Sequence, residues 1–204
     1  YSVPYTWGVV GIVYNTKYVD KADIGSWDLL WNPKYTNRTA MFNNSRDALG
    51  IALMYLGYSL NTTDKDELRE AADLIIAGKP VYQGIWMDQI LEKLPCEEIV
   101  AAPYYNGDAV TMIDENPDLA FYVPKEGTNL FVDAMCIPKN AKNVSGAEKF
   151  INFMCSTEAA MANWEYVGYS SPQTEVYKEL DEEITSDPLY FPDITQYPTE
   201  AYTN

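Results

Sequence analysis

Aromatic rings set beside carboxylates are the feature of this sequence most able to do chemistry. Tyr104-Tyr105-Asn106-Gly107-Asp108 follows a predicted strand at Ile99 to Ala102, and Leu130-Phe131-Val132-Asp133 lies in another after a Lys-Glu-Gly turn. Gly168-Tyr169-Ser170 follows a predicted helix, and Asn43-Asn44-Ser45-Arg46-Asp47 opens one. Aromatic walls with isolated carboxylates suit an organic cation. Burying an ammonium is costly unless a carboxylate pairs with it. Ring faces add cation–π attraction, about 0.5–2 kcal/mol each, and cover methylenes. Each group also has a plainer structural use. Asp47 can serve as the acidic third residue of a helix capped by Asn44 or Ser45. Asp108 can be another acidic helix start, and Tyr104, Tyr105 and Phe131 can be core or rim aromatics. Asp133 is the most telling, because a carboxylate inside an apolar strand needs a partner.

Positioning such residues takes alternating strands and helices, and the sequence supplies them. Strands are predicted at Val9 to Val13, Arg38 to Phe42, Pro80 to Gln83, Ile99 to Ala102, Leu119 to Val123 and Phe131 to Ile137. Ser26 to Trp31 reads as a short capped helix. A helix from about Asp47 to Tyr55 stops at Gly57. Thr63 to Asp66 and Ser145 to Glu148 read as capping boxes, the second opening a helix with Phe150, Ile151 and Met154 on one face. Ile85 to Leu94 and Asp108 to Ile113 read as further helices, and Ser156 caps another reaching about Tyr166. Trp27, Trp31 and Trp164 read as packing residues. The tail from Ser186 is rich in proline and tyrosine and reads as irregular. The alternation gives an α/β architecture, whose ligands gather beyond the carboxyl ends of strands.

Composition removes several classes. The net charge of −16, from 14 basic and 30 acidic side chains, repels phosphate backbones and argues against nucleic acid. There is no histidine, which removes the commonest general base and metal ligand. Cys96, Cys136 and Cys155 lack metal-ligand spacing; Cys136 and Cys155 read as core thiols in apolar surroundings. No run of eighteen apolar residues occurs. Phosphate-loop, dinucleotide and serine-hydrolase motifs are missing.

In order along roughly residues 1 to 195, "YSVPYTWG", "SWDLLWNPKY", "RDALGIALMYLGYSLNTT", "YYNGDAV", "YVPKEGTNLFVDAMCIPKNAKN", "AEKFINFM" and "VGYSSP" resemble the spermidine/putrescine-binding proteins of polyamine ABC importers. The resemblance implies a periplasmic-binding-protein-like (type II) two-lobed fold, with polyamine held between lobes. Family members are longer, so the chain is expected to be a piece lacking most of the first lobe. Residues 1–8 would end that lobe at the crossover, and 9–132 would form the second. Residues 133–170 would return to the first, and 171–204 would pack on the second. The returning segment would then expose an apolar patch or self-associate to hide it.

The family's binding pattern falls on six positions. An acidic pair at the start of the "RDALG" helix becomes Asn44 and Asp47, with one charge lost. The aromatic of the "NGDA" motif is Tyr105. The aromatic-x-Asp of the strand is Phe131 and Asp133, the latter expected to grip an ammonium, and the "GY" tyrosine is Tyr169. The implied partners are spermidine or putrescine and a membrane ABC permease, with no cofactor and no covalent change. The implied location is the periplasm or the outer face of the cytoplasmic membrane, by lipid anchor or tether. The alternatives are the same fold carrying another solute such as a metal ion, a two-carboxylate glycoside hydrolase, or a surface module without a small ligand.

Overall fold

The computed structural model describes residues 2–203. Tyr1, expected beside the crossover, lies outside the described residues. The fold is organised by β1 (Ser2–Asn15), a strand of 14 residues whose run from Trp7 to Val13 is largely β-branched or glycine. Such residues suit a strand buried on both faces. Two 3₁₀ turns follow, Trp27–Trp31, capped by Ser26, and Pro33–Tyr35. Then come β2 (Thr39–Phe42), α1 (Ser45–Leu56), α2 (Lys65–Gly78), β3 (Tyr82–Trp86) and the short α3 (Ile90–Lys93). Next are β4 (Ala101–Tyr105), α4 (Asn106–Glu115), β5 (Leu119–Tyr122) and β6 (Thr128–Cys136). Helices α5 (Val144–Met154), α6 (Thr157–Val167), α7 (Thr174–Glu179) and α8 (Glu182–Thr185) lead to β7 (Thr199–Glu200).

These strands form one mixed sheet in the order β3-β2-β4-β1-β6-β7, with β5 also on β1. Pairing is parallel around β2 and antiparallel around β1. The early half of β1 pairs with β6, setting Thr6 opposite Asp133 and Gly8 opposite Phe131; the later half sets Val10 opposite Tyr105. One strand therefore fixes the register of three candidate site residues. The ladder shifts between Pro4 and Thr6, leaving Tyr5 as an extra residue in a β-bulge. Its hydroxyl bonds Asn163 on α6.

The main core lies between the later half of β1, β2, β4 and α1, and includes Ile12, Trp27, Leu30, Met41, Phe42 and Ile51. A smaller cluster of Ala52, Leu53 and Ala71 joins α1 to α2. Trp27 is a core residue, as expected, with its indole N–H donated to the Gly127 carbonyl at 3.0 Å. By contrast, α5 and α6 contain no buried residue, and Phe150 and Phe153 are 59% and 63% exposed. The apolar face expected over residues 133–170 is present.

Several local expectations are corrected. Cys136 and Cys155 are exposed, as is Cys96, and all three are free thiols. Their apolar sequence neighbours lie where the chain buries little. Ile85 and Trp86 continue β3, opposite Met41 and Phe42, instead of opening a helix. Gly84 permits this, because the Trp86 ring lies where a Cβ would stand, within 2.3 Å. Helix α2 is capped by Asp64 rather than Thr63, and α5 by Asn143 rather than Ser145. Ser156 caps α6, as expected.

Candidate functional site

The start of α1 builds one end of the site. Asn44 is the N-cap: its side-chain oxygen accepts from the backbone N–H of Arg46 at 3.1 Å and of Asp47 at 3.4 Å. Capping satisfies donors that the first helical turn leaves free. The other end of the Asn44 amide donates to Asp47 Oδ2 at 2.7 Å. The same oxygen accepts from the Tyr105 hydroxyl at 2.6 Å, and Oδ1 accepts from Asn129 Nδ2 at 3.3 Å. Asp47 is only 7% exposed, and both of its carboxylate oxygens are met by donors from the protein. Burial pushes the Tyr105 phenol well above its usual range, and the bond to Asp47 pushes it further.

β6 builds the opposite side. Alternation along a strand puts Asn129, Phe131 and Asp133 on one face. Asp133 is exposed and accepts a single bond, from Thr6 Oγ1 to its Oδ2 at 3.0 Å. Between the two carboxylates runs a series of rings. Phe42 stacks on Tyr105 at 5.3 Å between centroids. Tyr105 meets Phe131 edge-on at 5.2 Å, and Phe131 meets Tyr169 edge-on at 6.0 Å. Such edge-to-face contacts suit the ring quadrupole and hold each ring in place.

The six residues marked by the family resemblance line one open pocket of about 390 Å³: Asn44, Asp47, Tyr105, Phe131, Asp133 and Tyr169. Three more join them. Asn129 could have been found by carrying the alternation one step back from Phe131. Arg46 sits between the two α1 positions already marked. Tyr202 has no local signal; it comes from the proline- and tyrosine-rich tail. Its hydroxyl donates to the Arg46 carbonyl at 2.7 Å, and its ring lies under the Arg46 guanidinium at 4.2 Å. Gly50 on α1 leaves room, since a Cβ there would meet the Tyr202 hydroxyl at 2.4 Å. Pairing of β7 with Thr128 and Asn129 of β6 brings the tail to this place.

Two flagged residues stand apart. Tyr104 is buried in the core, so the adjacent tyrosines do not face the pocket together. Asp108 lies behind the pocket, bonded to Tyr169. The arrangement offers one accessible carboxylate, one internally satisfied carboxylate and ring surface between them. It suits a slender cationic solute with apolar stretches. No helix among the described residues is long and apolar enough to cross a membrane.

The family model described as bacterial extracellular solute-binding protein matches residues 1–192. A spermidine/putrescine-binding periplasmic protein of Salmonella typhimurium is 34% identical over 193 residues, 95% of this chain and 56% of that protein. Among solved structures, a putative spermidine/putrescine ABC transporter from Listeria monocytogenes superposes with a TM-score of 0.94 at 40% identity, over 100% of this chain and 63% of that one. The spermidine/putrescine substrate-binding protein PotD of Streptococcus pneumoniae gives 0.86 at 38% identity, with the same coverages. The chain thus spans little more than half the length of the Salmonella relative.

Proposed function

The chain belongs to the bacterial extracellular solute-binding protein family, and on that premise we propose that its pocket is the polyamine site of an ABC importer's binding component. The observation that carries this reading is the convergence of α1, β4, β6 and the α6 terminus on one pocket, with Asp47 and Asp133 flanking a series of rings. Asp133 grips one ammonium of spermidine or putrescine, and Tyr105, Phe131 and Tyr169 cover the methylenes. The protein closes on the solute, changes no covalent bond and hands it to a membrane permease. It works in the periplasm or at the outer face of the cytoplasmic membrane, held there by a lipid anchor or tether.

In this reading residues 9–132 and 171–204 belong to one lobe and residues 1–8 and 133–170 to the other, with Tyr169 at the boundary, where it stays bonded to Asp108. Asn44 acts indirectly: its amide already serves as helix cap and as donor to Asp47. With an amide in place of a second carboxylate, this end of the pocket carries one negative charge where the family pattern has two.

The test is isothermal titration calorimetry of the natural protein that carries this sequence, with putrescine and with spermidine. Micromolar or tighter binding that Asp133→Asn weakens about tenfold or more supports the reading, since a charged hydrogen bond is worth roughly 1.5–3 kcal/mol. Absence of heat with both amines refutes it.

A further inference from the structure

Asp108 lies outside the pocket yet touches one of its walls. The Tyr169 hydroxyl donates to Asp108 Oδ2 at 2.6 Å. The Tyr169 ring lies across Gly107, where a Cβ would stand 2.4 Å from its Cγ and Cδ2. Gly168 ends α6 at φ +71° and brings the next residue against the start of α4; a Cβ on it would come 3.1 Å from the Gly107 carbonyl oxygen. Beyond Tyr169 the backbone is pinned again, because the buried Ser170 accepts from the Trp7 N–H at 3.0 Å. Tyr169 is therefore fixed at its backbone, one ring face and its hydroxyl. What remains meets Phe131 and the pocket.

We infer that Asp108 is a positioning residue for the solute site: it locks Tyr169 as a rigid wall and commits the Tyr169 hydroxyl to the protein instead of the solute. The inference rests on the proposed function for its effect on affinity, but the anchoring itself needs no ligand. A wall that is already immobile spares the cost of ordering it on binding. That cost is about 0.5–1.5 kcal/mol per side chain, or roughly two- to tenfold in Kd. Burial raises the Asp108 carboxyl above its ordinary pKa, while the bond from Tyr169 draws it back down. Asp108 also stands in the first turn of α4, so a purely structural role would change stability and leave Tyr169 uninvolved.

A double-mutant cycle on the natural protein separates the two roles. The variants are Asp108→Ala, Tyr169→Phe and the pair, with Asp108→Asn as the conservative control. Kd for putrescine is measured by calorimetry, and the Tyr169 ring is followed by NMR of ¹³C-labelled tyrosine without solute. The expected result is a loss of about two- to tenfold for each single variant, and no further loss in the pair. Asn should recover most of the loss, and Asp108→Ala should release the ring to fast flipping. Additive losses overturn the inference, as does a Tyr169 signal that Asp108→Ala leaves unmoved. If the unmodified protein takes neither putrescine nor spermidine, the polyamine reading fails by itself. The ring signal then decides whether Asp108 anchors Tyr169.

Discussion

Gly8→Ala is a one-methyl change that should damage both the fold and the pocket. Gly8 lies in β1 opposite Phe131, and its backbone is ordinary extended strand, so the effect comes from space alone. A Cβ at this position would stand 2.8 Å from Phe131 Cζ and 2.4 Å from Asn106 Oδ1. The two neighbours differ in how they can yield. Phe131 can tip outward, because its ring edges an open pocket, and the solute space then shrinks. Asn106 cannot: it is fully buried, its oxygen accepts from the Val9 N–H at 2.9 Å, and its Nδ2 donates to the Leu189 carbonyl at 2.9 Å. Moving it strains the packing, at about 1–3 kcal/mol, and strands the buried Val9 donor, at about 1–3 kcal/mol more. Since relaxation shares these costs, the expected destabilisation is about 2–4 kcal/mol in total. Urea unfolding of the parent and variant measures it from the shift in midpoint at constant slope. A second arm, Gly8→Ala with Phe131→Ala, should recover little, since the Asn106 clash remains. A loss below about 0.5 kcal/mol, the range of an ordinary surface substitution, would refute the argument that Asn106 cannot move.

Three further outcomes follow from the geometry. Asn44→Ala removes the α1 cap and a donor to Asp47, and should cost about 1–2 kcal/mol in chemical unfolding; no loss would mean that water replaces both bonds. Burial holds the Asp108 carboxyl above its ordinary value of 3.8, so the folded state keeps that proton more tightly than the unfolded chain. Asp108 therefore contributes most in acid, and its contribution falls as pH rises through the raised value. The unfolding free energy of the parent minus that of Asp108→Asn should decline over that window, and an increase would contradict the burial argument. Finally, the 204-residue chain should self-associate through Val144, Phe150 and Phe153. Light scattering should show its mass falling toward one copy when Phe150 and Phe153 become Asp, whereas a monomeric parent would count against the idea.

Much of this site can be read from local rules. The helix start at Asn44 to Asp47 is marked by capping chemistry, and the pair Phe131 and Asp133 shares a face because strand side chains alternate. Local rules mark Tyr104 and Tyr105 alike at the end of an apolar strand, and only the family resemblance singles out Tyr105. What local rules miss is brought in from a distance. Tyr202 lies in a tail without periodicity, and its position depends on β7 pairing with β6 and on Arg46 and Asn61, all far away in sequence. The cysteines mislead for the opposite reason. Cys136 and Cys155 have apolar neighbours along the chain, but burial depends on what packs across from them, and α5 has nothing buried. Ile85 and Trp86 fit a helix pattern equally well until the parallel partner β2 is known.

The bulge at Tyr5 has a mechanical consequence. A bulge bends its strand and increases the local twist, so β1 departs from its regular ladder with β6 between Pro4 and Thr6. That bend lies beside the Thr6–Asp133 pair, which is joined by its own side-chain bond. In a ribbon bending there, points far along either arm sweep the widest arcs, and those at the pivot barely travel. A bend at that point would leave Asp133 in place beside Thr6. In the proposed polyamine reading, the carboxylate assigned to the ammonium would sit at the pivot of such a bend.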